Sequence, residues 1–142
     1  MKPMRSVLLL FVIMFSFSAA GQNENRNEDG GLNLTEVDLL PSFPGGATPR
    51  GSFIRRHLTI LFDNESCNRK LFKGSNIKTY VVFDVNIDGS LTNISLLRSS
   101  GVDCIDEACI QVVKEMPRFV PGKKGGVPVR VNKVILPISL RF

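Results

Sequence analysis

The sequence predicts an α+β fold, two helices packed on a three-stranded antiparallel sheet in the chain order α-β-β-α-β. Three observations carry this. From Ile77 to Ile87 the chain alternates, with Ile77, Thr79, Val81, Phe83, Val85 and Ile87 on one face. Lys78, Tyr80, Asp84 and Asn86 lie on the other face, Val82 being the exception, which is the period of a half-buried strand. Asp88-Gly89 then signals a hairpin, and Leu91 to Arg98 returns with Ile94 and Leu96 inward. The last quarter of the chain, 116–142, runs extended to its final residue.

A length of 142 residues gives room for one small domain, and 43% hydrophobic with 22% charged residues is an ordinary globular balance. Lys2 and Arg5 form a short positive region, Val7 to Phe17 an apolar run of about eleven residues, and Ser18-Ala19-Ala20-Gly21 a small-residue cleavage site. A membrane span needs about twenty residues. Residues 1–21 therefore read as a secretory signal peptide cut near Ala20 or Gly21, with an uncleaved anchor as the alternative. Removing Lys2 and Arg5 takes two from the net charge of +5 and leaves about +3. Residues 22–36 read as a disordered leader, rich in Asn, Glu and Gly and without apolar periodicity. The folded domain is expected over 37–142.

Each element has a local reason. Pro41-Ser42-Phe43-Pro44-Gly45-Gly46 forms a rigid turn. Thr48 is expected as the N-cap of the first helix, with Pro49 at its first position. Phe53, Ile54, His57, Leu58, Leu61 and Phe62 make its apolar stripe. A polar connector follows over 63–74. After the hairpin, Asp103 with Asp106 three residues on reads as a box-like start to the second helix. Ile105, Cys109, Val112, Val113 and Met116 are its apolar face, and Pro117 ends it. Phe119, set between Pro117 and Pro121, is expected to plug the core between this helix and the sheet.

Pro121-Gly122 makes a corner, and Lys123-Lys124-Gly125-Gly126 a basic glycine-rich turn. Val127, Val129 and Val131 then fall on odd positions, whereas Val134, Leu136, Ile138, Leu140 and Phe142 fall on even ones. One extra residue near Asn132-Lys133, a β-bulge, keeps a single apolar face inward. Pro128 and Pro137 cannot donate to a ladder, so this is an edge strand. The second helix returns the chain, which places the last strand beside the first in the strand order 2-1-3. A free edge is a template for a partner strand.

Other chemistry is poorly supported. Arg118, Lys123, Lys124, Arg130, Lys133 and Arg141 have no acidic neighbour from Pro117 onward. A solvated face that blunts a sheet edge is the better reading of this bias than a nucleic-acid surface. The chain has no Trp, and Tyr80 is its only tyrosine, so it lacks a base-stacking platform. His57, the only histidine, reads as a satisfied, partly buried side chain. Asp103, Asp106 and Glu107 read as helix-start carboxylates. No cluster has metal-ligand spacing, and Lys123 to Gly126 lacks the phosphate-loop pattern. No enzyme activity, catalytic residue, metal, cofactor or nucleic-acid partner is expected.

Cys104 and Cys109 lie five residues apart on the second helix, about 7.5 Å along its axis, beyond usual disulfide reach. Cys67 pairs with one of them only if the fold brings them together, and free thiols, with Cys109 a small buried hydrophobe, are the expectation.

PSFPGG before the first helix, VVFDVNIDGSLTNISLLRSSG, IDEACIQVVKEMP and the closing RFVPGKKGGVPVRVNKVILPISLRF together resemble the C-terminal domain of the TonB energy transducers, in the form seen in Bacteroidetes-type bacteria. The resemblance covers 37–142 and is strongest from Ile77 onward; Phe119 stands where the family usually carries Trp. It implies a periplasmic domain that grips the N-terminal segment of an outer-membrane TonB-dependent receptor as a strand added beside the last strand. Inner-membrane motor proteins are implied only if an anchor is retained. The partner-binding residues are then Arg130, Val131, Asn132, Lys133, Val134, Ile135, Leu136, Pro137 and Ile138, with Arg130, Lys133 and Arg141 steering acidic groups. Phe43, Pro44, Gly45, Gly46, Pro117, Phe119, Pro121 and Gly122 form the structural motif. The alternative is an unenergised exported adaptor, or a homodimer formed through the same edge.

Overall fold

The computed structural model describes residues 30–62, 67 and 72–142; the expected signal peptide and residues 22–29 of the expected leader lie outside the described residues. Helix α1 (Ala47–Phe62) precedes strands β1 (Asn76–Val85) and β2 (Leu91–Arg98), helix α2 (Asp103–Lys114), a short pair β3 (Gly122–Lys124) and β4 (Val127–Val129), and strand β5 (Val131–Arg141). The main sheet has the order β2-β1-β5 with both pairs antiparallel. This is the arrangement the connections predict, and β5 lies at its edge.

The alternation in β1 sets the core. Thr79, Val81, Phe83 and Val85 are buried on one face, against Ile105, Cys109, Val112 and Val113 of α2 and Leu58 and Phe62 of α1. Ile87, expected on that face, is 61% exposed. The strand ends at Val85, and the Asn86 amide donates to the Ser90 carbonyl (2.9 Å) to close the hairpin. Gly89 has φ 84°, and a Cβ there would lie 2.0 Å from the Phe119 carbonyl oxygen. The Phe119 amide in turn donates to the Gly89 carbonyl (2.8 Å). The glycine thus lets the hairpin turn dock directly on the 117–121 segment. That docking sends the Phe119 ring inward, where it is 6% exposed and meets Phe43 and Phe83 edge-on at 5.8 and 5.6 Å.

Both helix starts differ from expectation. Helix α1 begins at Ala47, one residue before the expected cap, and its first backbone bond runs from the Arg50 amide to the Gly46 carbonyl. Gly45 and Gly46 (φ 81° and 91°) supply the sharp turn into it. Asp103 does not cap α2: the N-cap is Val102, with no side-chain cap bond. Asp106 instead turns back to the preceding loop, accepting from the Ser99 hydroxyl and the Ser100 amide. Its pKa is lowered, because these bonds outweigh the burial that works against its charge.

The last quarter is not one strand. Gly125 and Gly126, both at positive φ (59° and 77°), make a two-residue turn that folds β4 back onto β3 as a separate hairpin. Val127 is consequently 61% exposed, not inward. The expected bulge is present in β5: Phe83 pairs with Val134 and Val85 with Val131, so Asn132 and Lys133 stand opposite Asp84 alone. Lys133 takes the bulge conformation, φ 55°.

The cysteine expectation is corrected. Cys67 and Cys104 form a disulfide with Cα atoms 5.6 Å apart, fastening the connector to the first turn of α2. Cys109 is free and fully buried, as expected. Burial, followed by the nearby Asp106 charge, pushes its thiol up to about 12. The start of the packed unit also lies earlier than Val37. Gly31 is buried, and Leu32 bridges Val131 in parallel.

Candidate functional site

The backbone of β5 has two sides, and its C-terminal bonds tell them apart. The Phe142 amide donates to the Ser75 carbonyl (3.1 Å) and the Gly74 amide donates to the Phe142 carbonyl (2.7 Å), so Phe142 points toward the β1 side. By the two-residue period of an antiparallel ladder, Leu140, Ile138, Leu136 and Val134 point the same way. Ile135, Pro137, Ser139 and Arg141 point away, toward the free edge. Pro137 fits this parity, because a residue facing outward forfeits no bond to β1.

Of these outward positions, Pro137, Ser139 and Arg141 border an open groove of about 590 Å³ between β5 and α1. Arg50, Ile54, Arg55 and Thr59 of α1 form one wall, and Ser139 and Arg141 are among the β5 residues of the other. Among the described residues, no carboxylate forms an ion pair with Arg50, Arg55 or Arg141. Among the described residues, the groove therefore combines outward backbone that no strand pairs, apolar surface and positive charge without a carboxylate partner.

The expected binding residues divide into two groups. Arg130, Val131 and Asn132 are used by the fold. The Arg130 guanidinium donates to Asp84 (2.9 Å) and to the Asn132 Oδ1 (3.2 Å), so it does not face a partner as a steering charge. Val131 is fully buried, and Asn132 is 4% exposed with its amide on the Leu32 carbonyl. The Lys133 amide is held by Asp84 (2.9 Å), while its side chain is exposed. Val134, Leu136 and Ile138 turn their backbones to β1, and the latter two are core residues. Ile135 and Pro137 remain as edge positions. Ser139 and Arg141 join them; Arg141 was expected only as a steering charge, and Ser139 lies beyond the expected window, which ends at Ile138. The α1 arginines were also passed over; they stand off the apolar stripe, and only the packing of α1 beside β5 reveals their place.

Asp84 organises the base of the edge and was read only as an outward polar position. It sits between two bulges, one in β5 and one in β2, where Val82 pairs with Ser95 and Asp84 with Thr92. It accepts from Asn93 (2.8 Å), Arg130 and the Lys133 amide, and both Asn93 and Lys133 have positive φ. Burial works against its charge, but these three donors outweigh that and lower its pKa. Asp84→Asn removes the charge while keeping the shape. It is expected to cost about 3 kcal/mol, the lower end for breaking a buried pair, because the Arg130 side chain is 26% exposed. Since the folded pKa lies below the ordinary value of 3.8, this contribution is full above that value and is lost as the pH falls through the folded value. Denaturant titrations at pH 7 and pH 3 check it: the gap between parent and variant should narrow at the lower pH.

His57 is satisfied locally. Its Nδ1 bonds the Phe53 carbonyl (2.9 Å) and its ring stacks on Phe53 at 3.8 Å. Among the described residues, no three His, Cys, Asp or Glu side chains gather as a metal site, and no helix is long and apolar enough to cross a membrane.

Two helices on a three-stranded antiparallel sheet with β5 at its edge define an α+β domain. Residues 74–141 match the family described as Gram-negative bacterial TonB protein C-terminal, and this segment belongs to that family. The family is a transport-associated protein-interaction domain rather than an enzyme family. No curated protein and no solved structure matches the chain.

Proposed function

We propose that this chain is a TonB-like protein of the periplasm whose domain takes the N-terminal segment of an outer-membrane TonB-dependent receptor as an added strand on β5, supporting transport across the outer membrane. The observation that carries this is the run of outward backbone from Ile135 to Arg141, which no strand among the described residues pairs and which from Pro137 onward borders the groove. The Cys67–Cys104 disulfide supports the compartment, because such bonds persist in oxidising surroundings. Arg50, Arg55 and Arg141 favour a segment with acidic side chains, and their charge acts mainly on the rate of encounter.

The test is calorimetric titration of the full chain with synthetic peptides from receptor N-termini at two salt concentrations. Acidic receptor peptides should bind, more weakly at high salt. Equal binding of a scrambled basic peptide would refute the reading. Concentration-dependent self-association that the peptides leave untouched would favour edge-to-edge dimers instead.

A further inference from the structure

We infer that Gly31-Leu32 is a built-in competitor for the docking edge, holding the start of β5 until a partner strand displaces it. This rests on the strand-addition reading above. Leu32 takes the two outward backbone groups that flank Val131: its amide donates to the Arg130 carbonyl (3.0 Å), and its carbonyl accepts from the Asn132 amide (2.8 Å). An added strand running the full length of β5 needs the same two groups. From Ile135 onward no described strand or bridge pairs the outward backbone, so Leu32 caps one end of the site and leaves the rest of it to a partner.

The contact is built for a close but short hold. Gly31 lies over the buried Asn132 side chain, and a Cβ on it would fall 2.1 Å from the Asn132 Oδ1. Only glycine brings the backbone this near. The pairing does not continue past Leu32, because the Glu36 amide donates to the Asn33 carbonyl (3.0 Å) and turns the chain toward β3. There Asp38 and Leu39 both donate to the Lys123 carbonyl (2.9 and 3.1 Å). Among the described residues Leu32 makes one bridge to this edge, and that bridge can open and reclose without disturbing the β1–β5 ladder. Two backbone bonds that a partner strand replaces in kind set only a modest barrier to exchange. A ligand that binds the leader-open form sees its affinity reduced by the fraction of chains that are closed.

Two full-chain variants test this. Leu32→Pro removes the amide that bonds Arg130, and Gly31→Val collides with Asn132. Each is titrated with a receptor N-terminal peptide of about twelve residues and with a version cut to about seven. The long peptide should bind both variants about tenfold more tightly than the parent, and the short one equally in all three. In the parent alone, hydrogen exchange supplies a second readout that needs no variant to fold. The Leu32 amide should lose protection when the long peptide binds, while the Asn132 amide keeps it by changing partner. Equal binding of the long peptide to parent and variants, or a Leu32 amide that stays protected in the complex, overturns the inference and leaves the receptor reading intact. No binding of either peptide to any of the three proteins sinks both together.

Discussion

Phe119→Ala is expected to destabilise the domain by about 3–5 kcal/mol in denaturant unfolding, the range for emptying a fully packed aromatic site. The ring is 6% exposed and is the junction of three separate pieces of chain. Phe43 brings the turn before α1, Phe83 brings the central strand, and Gly89 brings the hairpin turn through the Phe119 backbone. Backbone bonding on the Gly89 side keeps the segment from collapsing into the space left by the ring, so the cavity term should be large. A loss below about 1 kcal/mol would mean that neighbouring rings close the gap, and that Phe119 does not hold these pieces together.

Loss of the Cys67–Cys104 disulfide is expected to cost about 4 kcal/mol. The bond closes a loop with a sequence separation of 37, and the constraint this removes from the unfolded chain sets the magnitude. Cys67 is 5% exposed, so the contact also buries part of the connector against α2. A double change, Cys67→Ala with Cys104→Ala, should lower the unfolding midpoint by the same amount as adding reductant to the parent. Alkylation of the native, unreduced chain should label no thiol, because Cys109 is fully buried and its thiol is pushed up to about 12. An unfolding midpoint indifferent to reductant would show that the bond does not form or does not stabilise the fold.

What the sequence made legible is local and periodic. The alternation of β1 and the Asp88-Gly89 turn defined the hairpin, and the parity slip between Val131 and Val134 located the bulge at Asn132-Lys133. The edge position of β5 followed from its prolines together with the connection rules. The missed features depend on neighbours distant in the chain. Nothing local tells that Cys67 meets Cys104, that Leu32 reaches Val131, or that Asp84 gathers donors from β2 and β5. Asp106 misled because its spacing from Asp103 suits a capping pair equally well, while its real partners, Ser99 and Ser100, lie in the loop before the helix. Reading 127–142 as one strand failed for another local reason: Gly125-Gly126 allows β4 to pair with β3, and the strand is interrupted at Arg130 between β4 and β5. The edge position of β5 was therefore legible, whereas which of its residues face outward, Ile135, Pro137, Ser139 and Arg141, follows only from its register on β1.

Proline substitution along β5 tests the central claim most directly. Pro137 shows that the strand accepts proline at outward positions, so Ile135→Pro and Ser139→Pro should leave the β1–β5 ladder intact and circular dichroism unchanged. Each removes one amide that an added strand needs. Binding of a receptor N-terminal peptide should fall at least about tenfold in either variant, whereas Lys133→Ala, whose amide remains on Asp84, should bind within about twofold of the parent. If both proline variants fold and bind the peptide as the parent does, the free edge of β5 is not where the partner docks.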